Sequence, residues 1–105
     1  EIVRTVARIE VFSAVVHDAG LDTARDFYVD NEALIVPNSV DSFAERTGVP
    51  IEQARRSAAI TLFERDKRIA ERYNQGIAIG VQTYFLGDLI AEERGKLYEL
   101  RRQQD

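Results

Sequence analysis

The chain contains no cysteine, no methionine and no tryptophan, one histidine and two prolines. Without cysteine there are no disulfides, no thiol chemistry and no cysteine-ligated metals. His17 has no second histidine to share a metal with, no Glu-x-x-His pair occurs, and no acidic run has the spacing of a calcium loop. No metal and no cofactor is expected. The glycines at 76 and 80 lack the lysine of a phosphate-cradling loop and the spacing of a dinucleotide loop. His17 stands beside Asp18, but the sequence nominates no nucleophile or second base to join it. The expectation is therefore a protein that is not an enzyme. The longest apolar run, Ile77 to Leu86, contains Gln82 and is too short to span a bilayer. The start, Glu1 to Arg4, has no basic region followed by an apolar one, so no signal peptide is expected. A cytoplasmic location without a membrane partner follows as the default expectation.

What is present suits one globular domain over residues 1–105. Hydrophobic residues make up 45% and charged residues 30%, enough apolar material for a core without cross-links. Net charge is −4, unevenly spread. Residues 1–42 carry three basic and eight acidic side chains, and residues 43–105 carry eleven basic and ten acidic. The acidic balance argues against a general polyanion binder, while the second half can still present a local basic face.

Apolar periodicity predicts an all-α fold, a compact bundle of four to five helices with two long ones at the C-terminal end. Ile2, Val6, Ile9, Phe12 and Val16 form one stripe over 2–19, and Gly20 supplies a stop. Asp22 is a plausible cap for a short helix to about Val29. Asp30 to Asn38 reads as a buried linker, with Pro37 biasing Val36 away from helix. Ser39 caps a helix to Thr47 that Gly48 closes. Pro50 fits the first turn of a long helix to about Tyr73, striped by Ile51, Ala54, Ala58, Leu62 and Ile69. A last helix is expected from Ile77 to about Arg102. The stretch 77–86 also alternates with period two and is rich in β-branched residues, so an α+β fold with a short strand there stays open. Helix is preferred, because a lone strand needs partners and only Phe27 to Val29 and Ala33 to Val36 offer themselves.

If 77–102 is helical, Gly76, Gly80, Thr83, Gly87, Ala91 and Gly95 recur at three- and four-residue steps along one ridge. Interior glycine disfavours helix by about 1 kcal/mol relative to alanine, so several in a row imply a compensating close contact. The expected use is a tight helix crossing, with a homodimer as the simplest partner.

Residues 43–56 resemble the core of a helix-turn-helix. Ala44, Gly48, Val49 and Ala54 match, in order and spacing, its small crossing residue, turn glycine, following apolar residue and buried position in the second helix. Thr47 departs from the usual apolar residue, and Ser57 from a larger buried one. The turn is also similar to the first helix pair of ubiquitin-associated-type bundles, where glycine, an apolar residue and proline precede Glu-Gln-Ala. The helix-turn-helix resemblance implies a DNA-binding segment at 40–57, with Glu52, Arg55 and Arg56 facing bases and Arg46 and Arg65 holding phosphates. The other expectation is a protein–protein interaction or assembly module acting through its long helices. Arginines sharing one exposed face favour DNA; arginines tied up in ion pairs favour the protein partner.

Overall fold

The computed structural model of the chain describes residues 1–104. It is all-α, with six helices and one small antiparallel hairpin. In chain order these are α1 (Ile2–His17), α2 (Leu21–Asp30), α3 (Glu32–Ile35), α4 (Ser39–Thr47), α5 (Ile51–Asn74), β1 (Ile77–Ile79), β2 (Gln82–Tyr84) and α6 (Leu86–Gln104). Among the described residues no helix is long and apolar enough to cross a membrane.

The core forms where α1, α2, α5 and α6 meet. Ala7, Val11 and Phe12 from α1 pack with Tyr28, Phe63, Ala70, Leu86 and Ile90. Tyr28 meets Phe63 edge-on at 5.7 Å between ring centres, the favoured geometry for such a pair. The small core residues Ala7, Ala59 and Ala70 are fully buried. They let the long helices approach closely while the aromatic rings fill the space between.

A charged seam crosses this core. The Arg4 Nη1 group donates to Asp66 Oδ2 at 2.6 Å, and the Tyr28 hydroxyl donates to the same oxygen at 2.6 Å. The Arg4 guanidinium also lies 5.6 Å from the centre of the Tyr28 ring. Burial first, then the bond to Asp66, pushes ionisation of Tyr28 far above the ordinary tyrosine range. One turn along α1, Arg8 faces Glu93 of α6 at 3.3 Å; among the described residues Arg4 Nη2, Arg8 Nε and Glu93 Oε2 are buried without a hydrogen-bond partner. Arg8 opposite Glu93, with Val16 beside Leu86, makes α1 and α6 antiparallel.

The helix boundaries follow local chemistry. Asp18, not Gly20, takes the left-handed position that ends α1, and left-handed Gly20 instead precedes α2. Gly48 ends α4 as expected, at φ 78°. The segment read as a linker winds one turn, α3, and then buries Ile35 and Val36.

The largest departure is at 77–86. Residues 77–85 are not the start of the last helix, which begins at Leu86. Ile77 pairs with Tyr84, Ala78 with Thr83 and Ile79 with Gln82. The strand finds its partner in the second half of its own run. Gly80, at φ 63°, begins the two-residue loop with Val81, a position where glycine suits a hairpin turn. The six-residue ridge expected on one helix therefore does not form. Gly76, Gly80 and Thr83 belong to the hairpin and its base, whereas Gly87, Ala91 and Gly95 lie on the exposed side of α6.

Candidate functional site

α4 is an amphipathic helix that is mostly unburied. Its one buried residue is Ala44, and it packs principally against α5. Phe43, on the face turned toward α5, remains half exposed. The two helices leave an open groove of about 550 Å³ between them. Val40, Phe43 and Val49 form its walls on the α4 side. Its floor is a run of small side chains on α5, Ala54, Ser57, Ala58 and Thr61. Their three- and four-residue spacing puts them on one strip of α5. The floor is shallow because nothing there extends past a β- or γ-atom. Ser57, the departure from the helix-turn-helix pattern, is a floor residue: where such motifs bury a larger side chain, this chain has an opening.

The groove is positioned by Arg55. This side chain is buried and makes four hydrogen bonds. Its Nε donates to Glu32 Oε2 at 2.5 Å and its Nη1 to Asp41 Oδ1 at 3.0 Å. Its Nη2 donates to the carbonyl oxygens of Glu32 at 3.3 Å and Val36 at 3.1 Å. One planar fork thus ties α3, the connection into α4, and the first turn of α4 onto α5. The two carboxylates hold the guanidinium more firmly charged than an isolated arginine.

The residues expected to contact DNA are dispersed by this arrangement. Arg55 is consumed in the interior. Glu52 and Arg56 are exposed, one turn apart on α5, so a carboxylate shares their face. Arg65 is nine residues beyond Arg56, which places it about 180° around the helix. It lies instead in line with Ala54, Ala58 and Thr61, eleven residues past Ala54. Arg46 lines the other end of the groove. Arg46 is thus the one cation among the groove's lining residues, which include no carboxylate; exposed Arg65 stands one turn beyond Thr61 along α5, its Nε 3.9 Å from Asp66 Oδ1. Sequence reasoning named Arg46 and Arg65 as phosphate contacts for DNA; of the two, Arg46 lines the groove. That reasoning missed Phe43, Ser57 and Thr61, whose signal was present as a small-residue strip on α5 beside an amphipathic α4.

At the far end of α5 lies a second surface. The last turn of α1, the hairpin base and the first turns of α6 enclose a groove of about 380 Å³. Val16, Phe85, Leu86 and Ile90 line it, with Gly87 and Ala91 leaving it open. Its polar members are Ser13, His17, Asn74 and Arg94. Among the described residues there is no cluster of three or more His, Asp or Glu that could hold a metal ion. Comparison with known proteins returns no matching family model, no matching curated protein and no matching solved structure.

Proposed function

We propose that the protein is a non-enzymatic docking module whose α4–α5 groove receives an amphipathic helix of a partner protein. The observation that carries this reading is the groove itself: apolar walls and a small-residue floor held open by Arg55. From Ala54 to Arg65 the floor and its extension run about 16 Å, room for three turns of a guest helix. A guest would set large apolar side chains over Ala54, Ala58 and Thr61 and beside Phe43. Arg46 and Arg65 favour a guest with carboxylates near both ends of its apolar strip.

The second reading is DNA binding through the same corner. Arg46, Arg56 and Arg65 support it, as exposed cations that can hold phosphates. The loss of Arg55 to the interior and the presence of Glu52 beside Arg56 weigh against it.

One pair of measurements separates the two. A photo-crosslinking side chain at Thr61 should capture a specific polypeptide in cells, and Phe43→Asp or Ala58→Arg should abolish the capture. A mobility-shift assay on pooled duplex DNA should give no complex at low salt. A shift that weakens as salt rises, is lost in Arg46→Ala with Arg65→Ala, and is indifferent to Phe43→Ala would replace the docking reading with the DNA one.

A further inference from the structure

The hairpin end carries an unusual share of exposed apolar surface. Of nine exposed large hydrophobic residues among those described, five are Val16, Ile79, Val81, Tyr84 and Phe85. All five belong to the hairpin, its base or the adjoining groove. Val81 is completely exposed at the hairpin tip. Three-residue strands give a hairpin little stability of its own, and neither strand has a second neighbour.

This end holds both a knob and a socket. The knob is the tip, Ile79 to Val81. The socket is the groove where Gly87 and Ala91 carry almost no side chain above the apolar floor of Val16, Leu86 and Ile90. A surface with both features side by side is self-complementary under a two-fold axis, because each copy offers what the other lacks. Charge follows the same plan. The socket includes Arg94 and His17 and no carboxylate. The opposite flank of the hairpin, a shallow pocket under Ile79 and Tyr84, includes Asp88 and Glu92 and no cation. Area is adequate as well. At roughly 150–250 Å² for a fully exposed large side chain, the five residues present on the order of 500 Å² per copy. A standard interface takes about 800 Å² from each partner, so the apolar centre is present and the polar flanks supply the rest.

We propose that the hairpin end is a two-fold self-association surface. The Val81 tip of one copy seats in the socket over Gly87 and Ala91 of the other, and Glu92 of each copy faces Arg94 of its mate. Gly87 and Ala91 thus keep the socket open for a hairpin instead of forming a helix-crossing ridge. This inference does not rest on the α4–α5 reading, whose groove is at the other end of α5.

The test is sedimentation velocity from micromolar to millimolar concentration. The wild type should shift from monomer to dimer. Val81→Glu and Ala91→Glu should each weaken association about 100-fold, the loss expected at a hot spot, while leaving the circular-dichroism melt unchanged. Glu92→Arg and Arg94→Glu should each weaken it, and the two together should restore it. A protein that stays monomeric throughout would overturn the proposal. So would a dimer indifferent to Val81→Glu, because its contact would then lie elsewhere, or a charge swap that fails to rescue.

Discussion

At the N-terminal end of α5 a guanidinium does the holding; at its C-terminal end, about 36 Å along the axis, the backbone does. Arg55 gathers α3 and α4 through four directional bonds, so α4 can keep its apolar side partly open and still stay in place. The hairpin's fastening is more local: at its base the Phe85 N–H donates to Asp88 Oδ2 at 2.8 Å. It depends on left-handed Gly76 and Gly80 and on the Phe85 ring lying over Gly76. Each end leaves apolar surface uncovered, but the corner makes a groove and the hairpin makes a protrusion. A groove calls for a guest, and a protrusion beside a socket calls for a copy of itself.

Between the two ends, the seam through Asp66 belongs to both, and breaking it should remove the distinction altogether. Asp66→Ala leaves half-buried Arg4 and buried Tyr28 without their shared acceptor. The expected loss is about 3–5 kcal/mol in urea unfolding, much of a small domain's stability. Corner and hairpin amides should lose hydrogen-exchange protection together.

Arg55→Ala should separate the ends. Its effect should be smaller than that of Asp66→Ala, because Glu32 and Asp41 reach solvent once released. Exchange should quicken in α3 and α4, with the amides of α6 unchanged. If exchange in α6 quickens equally, the corner is not an independent unit.

Gly76→Ala tests the other end. The residue sits at φ 89°, and an added Cβ would come within 2.9 Å of the Phe85 ring. Alanine there should lower stability by about 1–2 kcal/mol and loosen the hairpin selectively. The smallest effect is of opposite sign. Gly95 lies inside α6 with open space around its Cα. Gly95→Ala should raise stability by about 0.5–1 kcal/mol through helix propensity alone. A destabilising result would mean that something packs on that face.

The contrast also explains what could be read from the sequence. α5 was legible from its apolar stripe and Pro50 before Ile51, and α4 from Gly48 after Thr47; α1 was legible as a helix, but of its stripe only Phe12 is buried and its stop is Asp18 rather than Gly20. The strand alternation at 77–85 was visible too. A strand needs a partner, and Phe27 to Val29 and Ala33 to Val36 are helical or buried elsewhere, so the partner had to come from the same run. Gly80 fits a helical ridge by spacing alone, but its place after Ile79 is that of a turn residue between two halves of one alternating run. In the candidate site, Arg46 and Arg65 were legible as exposed cations. Arg55 was indistinguishable from them. Neighbouring positions on a helix point about 100° apart, and only the packed bundle says which direction is inward.

The sequence by itself determined the helical class, the left-handed stop after α4 and the two long helices, because these depend on residues within a few turns of each other. It also settled the absence of cysteine chemistry. Tertiary structure alone decided that Arg55 joins Glu32 and Asp41, that Asp66 serves Arg4 and Tyr28, and that Ser57 and Thr61 floor an opening. Those outcomes rest on side chains 14 to 62 positions apart in the chain meeting at hydrogen-bond distance, and local periodicity carries no record of which distant partner a side chain will reach.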